Sequence, residues 1–147
     1  MSVNPLGLID SHAHIQGSEF TADLEQVIAR AHAAGVEKIV VVGGAGELSS
    51  NDSAVALAHS FPELFATVGM HPHDAKDVSE RDLERLKDLT ADPRVIAVGE
   101  SGLDFYYNHS PRDLQMKIFA RFIQMARETK LPLIVHDRDA HREIAEL

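Results

Sequence analysis

His12 and His14 stand one residue apart at the end of a short apolar run, Leu6-Gly-Leu-Ile-Asp-Ser-His-Ala-His14. In an extended segment residues i and i+2 project to one face. The two imidazoles can therefore point at a single atom, and a metal ion is the ligand that suits paired neutral nitrogens. Similar residues recur downstream in similar places. Gly69-Met-His-Pro-His73, Gly99-Glu-Ser-Gly-Leu-Asp104 and Val135-His-Asp-Arg138 each follow a short run of strand-forming residues. A carboxylate at the end of a buried strand is uncommon unless it is paired or bound to metal. Glu100 and His136 are therefore expected to join His12 and His14 as metal ligands. His71 is either a substrate contact or a structural histidine, and Pro72 biases it towards an extended conformation. Asp104 either orients a ligand histidine from behind or caps the turn after Gly102. His109 is undecided, and His32, His59 and His141 are assigned no role.

A donor set of imidazole and carboxylate without thiolate suits Zn, Mn, Ni or Mg. Two such ions about 3.5–4 Å apart form a clamp for hydrolysing phosphodiesters and some amides. A carboxylate such as Glu100 can bridge them. The formal net charge of −9 argues against a broad basic surface for nucleic acid. A phosphate-bearing substrate would have to be met locally, by metal ions or a few arginines. There are no cysteines, so there are neither disulfides nor thiolate ligands. Met1–Pro5 lacks the basic-then-apolar pattern of a secretory signal, and the apolar runs are strand-sized, too short to span a membrane. Cytoplasm is the expected compartment.

The elements that must position these residues alternate strictly. Strands are expected over Leu6–Asp10, Lys38–Val42, Leu64–Gly69, Arg94–Gly99 and Leu133–Val135. Ile39-Val40-Val41-Val42 is apolar without alternation, as in a parallel strand covered on both faces. Helices are expected over Thr21–Ala34, Ser50–Ser60, from Ser79 to Asp92-Pro93, over Pro111–Lys130 and from Asp139 onward. Thr21 is a candidate N-cap, and Ser79 with Asp82 fits a capping box. Leu114, Ile118, Phe119, Phe122, Ile123 and Ala126 mark the inner face of the longest helix. Such alternation means α/β with a parallel sheet, either open and doubly wound or a (β/α)8 TIM-type barrel. In a barrel every strand ends on the same rim, where barrel active sites are built. The glycines of Gly43–Gly46 are expected to make a tight turn.

Taken in order and spacing, these motifs together with Ser110-Pro-Arg-Asp-Leu-Gln115 and Leu131-Pro-Leu-Ile-Val-His136 make the chain resemble the TatD-type metal-dependent deoxyribonucleases of the amidohydrolase-like barrel superfamily. The resemblance implies a (β/α)8 barrel, two divalent metal ions and hydrolysis of DNA, often as a 3′–5′ exonuclease on single-stranded ends. It also implies that His12 and His14 hold one metal, Glu100 bridges, His136 holds the other, and His71 and Arg138 lie near the substrate phosphate. Ser101 and Asp137 depart from the family's usual residue types, and neither change removes a ligand. An ester or amide substrate, including aminoacyl-tRNA, would use the same site. A non-catalytic metal-binding chain is the reading from a different class. A complete barrel takes about 250 residues, whereas 147 residues supply about five of eight βα units. The expectation is one domain over 1–147, the N-terminal part of a barrel whose remaining histidine and aspartate ligands follow Leu147. By itself it would expose two sheet edges and tend to self-associate.

Overall fold

The structure, a computed structural model, describes residues 7–147. Leu6, the first residue of the expected opening strand, lies outside them. Strands β1 (Leu8–Ala13), β2 (Val36–Val42), β3 (Leu64–Val68), β4 (Val95–Asp104) and β5 (Leu133–Arg138) alternate with helices α1 (Leu24–Ala33), α2 (Ser49–Ser60), α3 (Glu80–Leu89), α4 (Arg112–Thr129) and α5 (His141–Glu146). All four strand pairings are parallel, and the order is β1-β2-β3-β4-β5. A doubly wound sheet reverses its strand order at a switch point. This sheet never reverses, so right-handed crossovers put its connections on one face. That is the wall of a (β/α) barrel.

The core lies between the sheet and its helices. Val41, Leu64, Val68 and Val98 of the strands pack with Ala54, Ala58, Leu83, Leu86 and Phe122 of α2, α3 and α4, all almost fully buried. Each large aliphatic or aromatic side chain so buried contributes roughly 1.5–3 kcal/mol. A second cluster, Leu103, Phe105, Phe119 and Ala140, locks the far end of β4 beneath α4. Ser79 and Asp82 form the expected capping box at α3. On α4 the buried face is Gln115, Ile118, Phe119, Phe122, Met125 and Ala126, with Leu114 and Ile123 half-buried beside it. Leu8, Ile9 and Val135 on the two outer strands are exposed. Among the described residues no helix is long and apolar enough to cross a membrane.

Two sequence expectations shift. Helix α1 begins at Leu24, not Thr21, because Ser18–Phe20 already forms a 3₁₀ turn and the Thr21 N–H donates to the Ser18 carbonyl at 3.2 Å. The strands also run further than their apolar stretches. β1 reaches Ala13, β4 reaches Asp104 and β5 reaches Arg138, with Ser101 paired to Val135 and Asp104 to Arg138. Apolar sequence marks a strand only where helices cover it. At the rim the ladder continues while the side chains turn polar. Asp104, His136 and Arg138 are therefore held by paired backbone and not by loops, and Glu100 stands within β4 at the break in its ladder between Val98 and Ser101.

Candidate metal centre

The close contact of β4 with β5 brings Glu100 beside His136, and glycine makes that contact possible. Gly99 has φ +127°, and a Cβ there would lie 2.6 Å from the Ile134 carbonyl. At Gly102 a Cβ would collide with the His136 carbonyl. On the other side of the site, β1 delivers His12 and the residue just past it delivers His14. From β3 the chain enters a 3₁₀ turn over Pro72–Asp77, with His71 extended (φ −61°, ψ 143°) as Pro72 requires. The His71 N–H donates to the Gly44 carbonyl at 2.9 Å, pinning this segment to the turn after β2.

Five of the predicted side chains converge. His12 Nε2 is 3.2 Å from His14 Nε2 and 3.4 Å from Glu100 Oε2, and His14 Nε2 is 3.9 Å from the same oxygen. The other Glu100 oxygen, Oε1, is 3.0 Å from His136 Nδ1, which is 3.1 Å from His71 Nε2. Two groups could thus hold an ion, His12–His14–Glu100 and His71–Glu100–His136, and Glu100 belongs to both. Ligands bonded at about 2.1 Å to a tetrahedral or octahedral ion sit about 3.0–3.4 Å apart. Most of the observed separations lie in that range, so the residues fit divalent ions without rearrangement. A cleft of about 560 Å³ opens over the cluster, walled by His14, His71, Glu100 and His109.

The hydrogen bonds behind the cluster set which nitrogens face it. His14 Nδ1 donates to the Val42 carbonyl at 3.0 Å, which leaves its Nε2 lone pair for a cation. Asp104, only 1% exposed, divides its two oxygens. Oδ1 accepts from the backbone N–H groups of Tyr106 (3.1 Å) and Tyr107 (2.8 Å), so it caps the turn after β4. Oδ2 accepts from His73 Nε2 (2.8 Å) and His136 Nε2 (3.2 Å), so it orients a site histidine as well. Both roles open in the sequence are filled by one carboxylate. His136 Nδ1 meets Glu100 Oε1 at 3.0 Å, so the protonated ring gives one N–H to each carboxylate, Nε2–H to Asp104 and Nδ1–H to Glu100, and loss of the Nδ1 proton frees that nitrogen for a cation. The His71 Nδ1 accepts from the His73 N–H at 3.2 Å, so in the neutral ring Nε2 carries the proton, 3.1 Å from His136 Nδ1.

Charge in the site follows from these contacts. Burial pushes the Glu100 carboxyl up, but the His136 hydrogen bond and the fields of His12 and His71 outweigh it and leave it below the usual carboxylate value. Asp104 shows the same contest. Burial raises it, and the Tyr107 N–H with His73 and His136 brings it down to about 2. The hydrogen bond to Glu100 raises the His136 imidazole despite burial. Burial, then the neighbouring His136 and His73, pushes His71 down to about 4.

Arg138 does not reach the cluster. Its guanidinium lies over the rings of Tyr106 and Tyr107, 4.5 and 4.7 Å from their centroids. Sequence reasoning also missed several supports. Gln115, 1% exposed, clamps Asp104 from both sides: its Oε1 accepts from the Asp104 N–H (2.8 Å) and its Nε2 donates to the Asp104 carbonyl (3.1 Å). Asn51, fully buried, grips Gly69 in the same reciprocal way at 2.9 and 3.1 Å. A buried amide on an apolar helix face is the signal that could have found both. His109 stacks on Tyr107 at the edge of the cleft. His32, His59 and His141 pair with Glu63, Asp92 and Asp137 on the exterior.

The family model described as TatD related DNase matches residues 9–147. The chain is 41% identical over 137 residues to a protein of Bacillus subtilis named uncharacterized metal-dependent hydrolase YabD, covering 93% of this chain and 53% of that one. It is 37% identical over 134 residues to the 3′-5′ ssDNA/RNA exonuclease TatD of Cronobacter turicensis, covering 91% and 50%. The crystal structure of YJJV, a TatD homologue from Escherichia coli K12, superposes with a TM-score of 0.87 at 32% identity, covering 95% of this chain and 54% of that one. The chain thus spans about half the length of the curated relatives it matches. With a barrel wall of the same shape, a shared family model over nearly every described residue and the His/Glu cluster on its rim, this chain belongs to the TatD-related DNase family.

Proposed function

We propose that the rim cluster is a two-metal centre that hydrolyses DNA phosphodiesters, releasing nucleotides from single-stranded 3′ ends. The observation that carries this is the division of Glu100, with Oε2 turned to His12 and His14 and Oε1 turned to His136. In this assignment His12 and His14 hold one ion, His136 holds the other, and Glu100 bridges and is the central catalytic group. Divalent ions bound there would acidify a water and neutralise charge on the phosphodiester.

The chain's own residues do the remaining work. Glu100 is ionised at neutral pH, and its imidazole neighbours hold its carboxyl below the usual value. Asp104 holds His136 in one tautomer and one orientation. His71 lines the cleft beside His136, where a phosphate oxygen is a natural acceptor for its Nε2–H, so it serves as a substrate contact. The relatives named as ssDNA/RNA exonucleases support nucleic acid as the substrate. Ester or amide substrates have no comparable support in the site. The test is metal-dependent release of nucleotides from single-stranded DNA, run beside an aminoacyl-ester assay. Glu100→Ala should abolish release. Retained activity in that variant would overturn the bridging assignment, and faster turnover of the ester would overturn the substrate.

A further inference from the structure

The turn after β4 lifts two tyrosines into solvent beside the cleft. Tyr106 is 59% exposed and Tyr107 48%. Their rings meet edge to face, 4.7 Å apart at 90°. The Arg138 guanidinium lies over both. Behind Tyr107, the His109 ring is nearly parallel at 5.5 Å and 6°. His73 closes the edges of both rings, 5.6 Å from Tyr107 and 4.6 Å from His109. His73 and His109 also wall the cleft, so the ring array runs directly up to it.

This array is built and not incidental. Asp104 accepts the Tyr106 and Tyr107 N–H groups through one oxygen and fixes His73 through the other. The carboxylate that sets the His136 tautomer therefore also sets the tyrosines. Exposed aromatic faces held rigid beside a cleft have lost little further freedom when a planar ligand arrives. The net charge of −9 leaves little room for affinity from a broad phosphate-binding surface. Stacking is the remaining source that tolerates every base, since each has a π-face.

We propose, building on the nuclease function above, that Tyr106, Tyr107 and Arg138 form a stacking platform for an unpaired nucleobase of the single-stranded nucleic acid whose phosphodiester enters the cleft. Tyr106 offers the open face. Arg138, its guanidinium 4.5 and 4.7 Å from the two ring centroids, adds one positive charge for the adjoining phosphate. A duplex cannot present a base face here without unpairing, so the platform selects single strands and frayed ends. Salt dependence should be shallow, with a slope near −0.7, the value for about one neutralised phosphate on a single strand.

The test reads binding, not turnover. A short phosphorothioate oligothymidylate with 2-aminopurine at its 3′ end is titrated into the Mn²⁺-loaded protein and compared with the same oligomer ending in an abasic residue. The expected result is quenching of 2-aminopurine by stacking, and a Kd on the order of tenfold lower for the base-bearing oligomer. The Tyr106→Leu/Tyr107→Leu variant should lose both the quench and the preference, and the Tyr106→Phe/Tyr107→Phe variant should keep them. Equal affinity of the wild-type protein for the two oligomers would overturn the platform, with no variant needed. So would a persistent quench in the leucine variant. Quenching and preference without Mn²⁺-dependent cleavage of unmodified DNA would uphold the platform and defeat the proposed nuclease function. Cleavage without base preference would do the reverse.

Discussion

Replacing Asp104 with asparagine tests the link between the support and the centre. The substitution is isosteric, and the amide oxygen can stay at the Oδ1 position, keeping the Tyr106 and Tyr107 N–H bonds of 3.1 and 2.8 Å. The amide nitrogen then takes the Oδ2 position, facing His73 Nε2 and His136 Nε2, where the wild-type carboxylate accepts at 2.8 and 3.2 Å. A donor now meets two donors. Either the bonds are lost or His136 gives up its Nε2 proton and keeps only the Nδ1–H aimed at Glu100. Hydrogen bonds to a charged group are each worth about 1.5–3 kcal/mol. With two disrupted and partial relaxation, metal-free stability should fall by about 2–4 kcal/mol, or roughly 5–15 °C in Tm for a domain of this size. Under the proposed assignment of His136 as a ligand, loss of its outer partner should also weaken metal binding by about 10–100-fold. Calorimetric titration with Mn²⁺ and thermal melts of the metal-free protein measure the two effects. A variant with wild-type Mn²⁺ affinity and an unchanged melt would refute the claim that Asp104 orients His136.

Two further outcomes follow from the same geometry. Asn51→Ala strands the Gly69 N–H and carbonyl, both buried, and should cost about 2–4 kcal/mol in urea unfolding; a loss below about 1 kcal/mol would show that this clamp is dispensable. The metal-free protein should be most stable near pH 6.5. Unfolded, His71 and His136 both titrate near 6.5 and together bind about one proton there, whereas folded His136 is raised and keeps its proton while His71 is lowered to about 4 and stays neutral. His136 therefore contributes stability that fades as pH rises through its raised pKa. The His71 contribution fades as pH falls from 6.5 towards 4, and those of Glu100 and Asp104, both depressed, fade below the ordinary carboxylate range. A Tm that rises steadily to pH 9 would contradict these assignments.

Much of the fold was legible because the burial pattern is local. The unbroken run Ile39–Val42, the capping box at Ser79 and Asp82, and the apolar stripe of α4 each follow from short-range periodicity and cap chemistry. The helix start at Thr21 failed because a 3₁₀ turn had already used its backbone. The strand ends at Glu100, Asp104 and His136 were misplaced because hydrophobicity reports helix cover and not backbone pairing. Barrel and doubly wound sheet differ only in strand order, a long-range fact that no local window carries.

For the site, the sequence by itself determined the inventory. His12, His14, His71, Glu100, Asp104 and His136 could be singled out from residue type and position after strand-forming runs, and their order matched a family. What the tertiary structure decided is which atom of each faces which. The split of Glu100 between two histidine groups, the hold of Asp104 on His136 and the seating of Arg138 on Tyr106 and Tyr107 all depend on contacts between residues distant in sequence. Hydrogen-bond direction and tautomer are set by partners across the fold, and a linear chain does not name those partners.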